Sequence, residues 1–516
     1  MTESLDTQSE KPLAPPPPRR RIVQNTFFSL ISKVQGAVLN YFTTLILLHA
    51  LSVENYGLYS VLFVGVTYNL ALLVRFGIPT VLARFIPEYY ARSDYRVIGK
   101  LFRAANLVQS AAAAVLLAVV LIFAGPIAAL LNFSGSETVF RIFAIGAFVF
   151  FLTENFRLLM AGVFQQRIIL IVNFVYNLTR MVALYFTVKT SDPLLAVFIT
   201  EVSMFGLLLL TYQIAYHRTI GPRIAAERNK PGEAVPWKRF YKFGGLLYLN
   251  EIGITLLNQA TDLLIVSSML GDVAAGLYGL AGRILRMAIG VLPNNVLGDV
   301  ITPAFHSEYG SKSSQEARFG FNLFLKISLL ASLPIGLWLA LMGRPIIIQL
   351  FNPEYADAAA ILAVSALFLP TTAVRMPLGI MLQHAERPDL LIWSKVSGIV
   401  KIVLGLWLVR EGGVMMMVWI TCLTTLLEII LMTIFIAWQL KVHADYIGII
   451  KLLVNAAISA ALFYPLSPYL QSRIGVISSI LVFATIYIGV NLLIRSFHQD
   501  ERNFINKKLP YPLWKF

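Results

Sequence analysis

The chain has little of what a soluble protein is built from. Charged residues fill only 13% of its 516 positions, and 57% are hydrophobic. Soluble domains average about 25% charged and about 45–50% apolar residues. There is one cysteine, Cys422, so no intrachain disulfide can form. The six histidines (His49, His217, His306, His384, His443 and His498) are scattered, and no two have metal-ligand spacing. No extramembrane stretch is long enough to fold alone, no glycine loop is built to cradle a nucleotide phosphate, and H-E-x-x-H is missing. Segments of about ten residues with period-2 alternation are also missing, which argues against a β-barrel. The expectation is a protein that is not an enzyme, uses no cofactor or metal, and binds no nucleic acid. Movement of a solute would run on an ion gradient, the membrane potential or the solute's own gradient.

What is present is apolar sequence in lengths near the roughly 20 residues that span a bilayer. Fourteen such segments run 24–50, 56–74, 101–123, 140–163, 168–188, 194–216, 243–270, 274–302, 321–342, 358–382, 390–409, 414–440, 447–464 and 474–494. The first follows Arg19-Arg20-Arg21 but is too long for a signal-peptide core, so it reads as a permanent span. With the N-terminus in the cytosol, only Lys189, Arg344, Arg410 and Arg473 of the 42 cations fall in outer loops, while more than half fall in cytosolic segments. That asymmetry places both termini in the cytosol. Residues 1–21, with Pro15-Pro16-Pro17-Pro18, cannot bury a core and read as a disordered cytosolic tail. Residues 217–242 carry seven cations and read as a basic cytosolic linker, lying on anionic headgroups or simply fixing topology. Residues 496–516 form a cytosolic C-terminal tail.

The chain repeats itself. Gly57-Leu58-Tyr59 recurs as Gly276-Leu277-Tyr278, Glu88-Tyr89 as Glu308-Tyr309, and Leu131-Asn132 as Phe351-Asn352. Arg157 and Gln165 correspond in the same way to Arg375 and Gln383. The offset stays near 219. The expected fold is therefore an all-α polytopic membrane protein with two parallel six-helix repeats, 22–216 and 243–440. Two extra helices, 441–495, lie outside the repeat. Parallel repeats place a substrate site at their interface.

Polar residues inside the spans are expensive and mark function. In 243–270, Glu251, Thr255, Asn258 and Asp262 share one helical face. In 24–50, Ser29, Lys33, Asn40 and Thr44 line up likewise. In 274–302, Arg283, Gly290 and Asn294 share a face, with Arg286 at its edge. Asp262 and Arg283 lie at similar depth, as do Lys33 and Glu251, so each pair is expected to meet, or to share a solute. A purely structural ion pair is the competing reading for each. Arg75, Lys326 and Lys451 sit near helix ends and read as snorkelling cations. Cations outnumber the buried acids Glu154, Glu201, Glu251, Asp262, Asp299 and Glu428. A net-positive interior suits an anionic substrate, and the planar arginine fork suits phosphate. Arg157 and Arg375 would extend the site, with Glu154 one turn before Arg157 as its neutraliser.

Three stretches carry a family resemblance. They are the run from Leu51 through Tyr56-Gly57-Leu58-Tyr59, the run Phe76-Gly77-Ile78-Pro79 with Ala83-Arg84-Phe85-Ile86-Pro87-Glu88-Tyr89, and Pro345 through Phe351-Asn352-Pro353-Glu354-Tyr355. Together they resemble the polysaccharide-export family of Wzx-type O-antigen flippases. That family sits in the superfamily that also holds the multidrug and toxin extrusion (MATE) antiporters and the lipid II flippase. The resemblance implies MATE-like lobes around a central cavity. It also implies export of a polyprenyl-diphosphate-linked oligosaccharide from the cytosolic to the outer leaflet of the inner membrane, serving lipopolysaccharide or exopolysaccharide assembly. Membrane lipids, a polymerase and glycosyltransferases would be its partners. By matching region, Lys33, Arg283 and Arg286 would engage the diphosphate and sugar acids, with Asn40 on the same stripe as Lys33. Two other readings stay open. An ion-coupled multidrug antiporter of the same fold would use Glu251, Asn258 and Asp262 for coupling. An integral membrane polymerase or glycosyltransferase would want a large outer loop or a nucleotide-sugar site, and neither is visible.

Overall fold

The structure is a computed structural model that describes residues 19–133, 135–230, 234–295, 314–384 and 387–508. Most of the proline-rich tail, the end of the 274–302 segment with Asp299, the Glu308-Tyr309 element of the repeat and the last eight residues lie outside the described residues.

Every regular element among the described residues is helical. In chain order they are α1 Arg19–Ala50, α2 Val53–Arg75, α3 Ile78–Ala91, α4 Tyr95–Ile122, α5 Ala124–Leu130, α6 Glu137–Gly162, α7 Gln166–Thr187, α8 Pro193–Thr219, α9 Gly221–Glu227 and α10 Trp237–Leu257. There follow α11 Gln259–Leu270, α12 Asp272–Gly290, α13 Ser314–Ile346, α14 Ala358–Leu367, α15 Leu369–His384, α16 Pro388–Ser394, α17 Val396–Leu440, α18 Tyr446–Phe463, α19 Arg473–Ile494 and α20 Gln499–Lys508. Among the described residues, twelve helices or helix runs are long and apolar enough to cross a membrane, thirteen if the bent pair α10–α11 is one span. One of these runs, Asp389–Leu440, holds two spans that break at Gly413, whose φ of 67° no ordinary side chain adopts readily. Counting both recovers the fourteen expected segments.

Several boundaries differ from the sequence expectation, each for a local reason. The 243–270 segment is two helices rather than one. Asn258 takes an extended backbone (φ −74°, ψ 147°), its side chain caps α11 by accepting from the Ala260 N–H, and the pieces bend by 48°. The cationic stretch 217–242 is partly helical, because α8 runs to Thr219, α9 follows, and α10 starts at Trp237. Segment 358–382 breaks at Phe368. Segment 56–74 starts earlier, capped by Ser52, and loosens into a π-helical turn over Val61–Val66.

The chain forms two compact units. The first comprises Met1–Asn40, Ala71–Ala124 and Glu137–Tyr248. Its core packs Phe85, Ile98, Phe102, Met160, Tyr212 and Phe240 together. Gly77 (φ 71°) is needed there: a Cβ would stand 2.4 Å from the Gly244 carbonyl oxygen. The second unit comprises Tyr41–Leu70, Gly125–Ser136 and Leu249–Phe516, and its core includes Phe321, Leu378, Leu382, Met432 and Leu452. Large apolar side chains such as Leu107, Trp407 and Leu493 remain exposed, as lipid-facing residues do.

The repeat is written into reciprocal contacts inside the second unit. A Cβ on Gly57 would lie 2.2 Å from the Asp272 carbonyl oxygen, and one on Gly276 would lie 2.2 Å from the Val53 carbonyl oxygen. The two partners, like the two glycines, are 219 positions apart. The Asn132 side-chain amide donates to the Ser267 carbonyl (3.0 Å), and that of Asn352 donates to the Leu48 carbonyl (2.6 Å). Each half thus offers the same group to the same place on the other. With no water to drive burial, such close small-residue contacts and interhelical hydrogen bonds hold membrane helices together.

Candidate functional site

The break at Asn258 organises the polar interior of the second unit. Interrupting a helix inside a membrane frees backbone carbonyls that need new donors. The Lys401 ammonium, reaching from α17, donates to the Asn258 carbonyl at 3.0 Å and to Asp262 Oδ1 at 2.5 Å. Asp262 Oδ2 accepts from the Tyr278 hydroxyl of α12 at 2.8 Å and from the Thr421 hydroxyl at 3.0 Å. Both charged residues are 0% exposed. The Thr261 hydroxyl contacts Asn69 Oδ1 (3.0 Å) and the Thr255 carbonyl (2.8 Å), closing the network.

This corrects the expected Asp262–Arg283 pair. Tyr278 is the residue of α12 that meets Asp262. Arg283 lies five residues further on, about 140° round the helix at 100° per residue, and so faces elsewhere. Arg283 and Arg286 are both partly buried. Arg286 Nη1 donates to Gln259 Oε1 at 3.1 Å, and Gln259 is held against α12 where Gly282 leaves room. Glu251 is partly buried, and its backbone carbonyl accepts the Thr255 hydroxyl. Lys33 lies exposed on α1.

A second cluster in this unit centres on Glu428, which is 0% exposed. Arg375 Nη2 lies 2.7 Å from its Oε2, and Lys395 bonds its Oε1. A third joins Lys326 to Asp445 (2.6 Å) and Glu501 (2.5 Å), with His498 Nε2 3.0 Å from Asp445. Lys326 is fully buried, which corrects its reading as a snorkelling cation: two carboxylates hold it inside. Lys451 does reach its helix end, donating to the Arg495 carbonyl at 3.4 Å. Asp445 lies between spans. Burial pushes its carboxyl up, but the Lys326 hydrogen bond, the Gly448 N–H and the Lys326 and His498 charges outweigh this and hold it below the usual carboxylate range.

In the first unit, Arg180 forks onto Glu201 with bonds of 2.7 and 2.6 Å, and its Nη1 donates to Asn40 Oδ1 at 3.3 Å. Arg75 Nε is 2.8 Å from Glu154, and Arg157 reaches the same carboxylate at 3.9 Å. Arg75 is therefore an ion-pair member rather than a snorkelling end. Lys401, Lys395 and Arg180 were not singled out in the sequence. Their signal was available, since each is a cation deep in an apolar run. What could not be read is which acid on a distant helix each one meets.

Among the described residues, no group of three or more His, Cys, Asp or Glu side chains could hold a metal. The arrangement is a set of ion-paired clusters, with Arg283 and Arg286 one turn apart on α12. Guanidiniums so spaced can grip a phosphate bidentately.

A family model described as polysaccharide biosynthesis protein matches residues 22–308. No curated protein sequence matches significantly. Among solved structures, the lipid II flippase MurJ in an inward closed conformation aligns with a TM-score of 0.68 at 13% identity, covering 92% of this chain and 99% of that one. An inward-facing multidrug resistance MATE family transporter of the MOP superfamily aligns with a TM-score of 0.64 at 13% identity, covering 81% and 98%. A MOP superfamily transporter from Pyrococcus furiosus, described as having a binding pocket of reverse polarity, aligns with a TM-score of 0.54 at 14% identity, covering 81% and 96%. These likenesses establish a shared fold, and the proteins that carry it are a flippase and transporters rather than enzymes.

Proposed function

We infer function from one premise: the chain belongs to the polysaccharide biosynthesis protein family. On that premise it is a flippase of the inner membrane with both termini in the cytosol. It carries a polyprenyl-diphosphate-linked oligosaccharide from the cytosolic to the outer leaflet by alternating access, between the glycosyltransferases that build the glycan and the polymerase that extends it. Arg283 and Arg286 engage the diphosphate. Lys33, Asn40, Arg157 and Arg375 serve the sugar acids and the approach.

The state of Asp262 is the observation that carries this reading over the antiporter. A cation-coupled antiporter needs a carboxylate that exchanges partners with its cation. Asp262 instead has a lysine and two hydroxyls on its oxygens and is fully buried. The two α12 arginines are partly accessible. A positive site favours an anionic headgroup, and arginine favours a diphosphate in particular.

The test is Arg283→Gln with Arg286→Gln, beside the charge-keeping Arg283→Lys with Arg286→Lys. Flipping of a polyprenyl-diphosphate oligosaccharide is read in proteoliposomes, and surface polysaccharide in the native host. The glutamine pair should lose at least tenfold in flipping rate while melting like the parent, and the lysine pair should keep part of the rate. A glutamine pair that folds and flips at the parent rate overturns the assignment.

A further inference from the structure

Helices α18 to α20 lie beyond the second repeat, and nothing in the flippase reading uses their polar groups. Where α19 ends, a cavity of about 290 Å³ opens. Asn491, Leu492, Leu493, Arg495, Phe497 and Arg502 line it. Its position and its walls both matter.

Its position is interfacial. The span Arg473–Ile494 stops one residue before Arg495, so the cavity sits where hydrocarbon gives way to headgroups. Arg495 has φ 54° and ψ 67°, which ends the helix and turns the chain sideways into α20. Its N–H still bonds the Asn491 carbonyl at 3.0 Å, and its carbonyl accepts Lys451 of α18. The turn is therefore built, not loose. The Ser496 hydroxyl donates to Asn491 Oδ1 at 2.9 Å, and the Arg502 N–H bonds the His498 carbonyl at 3.0 Å.

The walls divide by chemistry. Leu493, 83% exposed, and Leu492 present an apolar side to the lipid. Arg495 and Arg502 also line the cavity, and the Lys451 ammonium sits on the Arg495 carbonyl. Two acids nearby serve Lys326. Glu501 accepts from the buried Lys326 at 2.5 Å and from the His498 N–H at 2.8 Å, and Asp445 is held by Lys326 and His498. Asp500 is exposed on α20. An apolar strip continuous with the bilayer beside a two-arginine rim matches one kind of ligand, a phosphate attached to acyl chains. Basic pockets between membrane helices at the headgroup level bind anionic lipids in this way, and the arginine fork holds phosphate oxygens in pairs.

We propose that the cavity at the junction of α19 and α20 seats the headgroup phosphate of an anionic phospholipid, with its acyl chain along Leu492 and Leu493. The seated lipid ties α20 to the membrane surface. Because Glu501 of α20 also clasps Lys326 of α13, the lipid links the appended helices to the second repeat through that contact. The site is separate from the arginines of α12.

The test uses purified full-length protein stripped of lipid in a neutral detergent. Phosphatidylglycerol, phosphatidylcholine of the same chains, and inorganic phosphate are each added, and melting temperature and native-mass-spectrometric adducts are read. Phosphatidylglycerol should raise the melting temperature and give a retained adduct, and phosphatidylcholine should do neither. Arg495→Gln with Arg502→Gln should lose the adduct at least tenfold, and Arg495→Lys with Arg502→Lys should restore most of it. Equal responses to the two lipids, or an unchanged adduct in a glutamine variant that melts normally, overturn the proposal. A full response to inorganic phosphate alone also overturns it, since the ligand is then a free anion. Flipping activity plays no part in the readout, so the outcome is independent of the proposed transport function.

Discussion

Lys401→Met removes the ammonium from the Asp262 network and leaves a carboxylate sealed in the interior of the second unit. Breaking one partner out of a buried pair costs about 3–5 kcal/mol, because the remaining charge has no partner and no water. Asp262 keeps two donors, the Tyr278 and Thr421 hydroxyls. The expected loss is therefore near the lower end, about 3 kcal/mol. Asp262→Asn keeps those hydroxyl bonds and leaves Lys401 its bond to the Asn258 carbonyl, so a loss of about 2–3 kcal/mol is expected. Removing both charges together restores neutrality. The double variant should lose less than the sum of the singles, with a coupling of at least about 1 kcal/mol. Unfolding free energies in bicelles, measured by steric trapping for all four proteins, give the cycle. Additive losses, or a Lys401→Met protein as stable as the parent, would refute the buried pair. A folded double variant that still moves substrate would show that the pair is a clamp and not a coupling device.

Gly57→Ala and Gly276→Ala each place a Cβ 2.2 Å from a backbone carbonyl and should lower stability by about 1–3 kcal/mol, whereas Gly206→Ala, with nothing within 4 Å, should be neutral or mildly stabilising; melting curves separate them. Asn258→Ala removes the α11 cap and should cost about 0.5–2 kcal/mol by the same measure. Asp445 has a folded pKa below its unfolded value, so its contribution is complete above about pH 4 and is lost as the pH falls through the folded value. Hydrogen exchange at the start of α18 should therefore be flat from pH 7 to 5 once corrected for intrinsic rates, and should rise only below pH 4. A rise already at pH 6 would refute the role given to Asp445.

The helix inventory was legible because a bilayer demands long apolar runs, and those runs dominate this sequence. The repeat was legible from a few dipeptides, Gly57-Leu58 and Leu131-Asn132 among them, because their backbone roles leave little choice of residue. Helix breaks were not. Asn258 reads equally well as one polar residue on a continuous stripe, and only its extended backbone reveals a cap. The site was half legible. Depth could be counted from the ends of each span, and it put Asp262 and Arg283 level. Azimuth across helices could not be counted, so Tyr278 and Lys401 took the places expected of Arg283. Lys326 failed for the same reason, since its partners Asp445 and Glu501 are more than a hundred residues away in sequence.

The reciprocal glycine and asparagine contacts have a genealogical consequence. A joint in which Gly57 meets Asp272 while Gly276 meets Val53 is one that a protein of half this length could have formed with a second copy of itself. Joining two such copies end to end keeps the joint but frees every other position to diverge. Arg180 bound to Asn40 and Glu201 in one half, and Lys401 bound to Asp262 in the other, are what such divergence leaves behind.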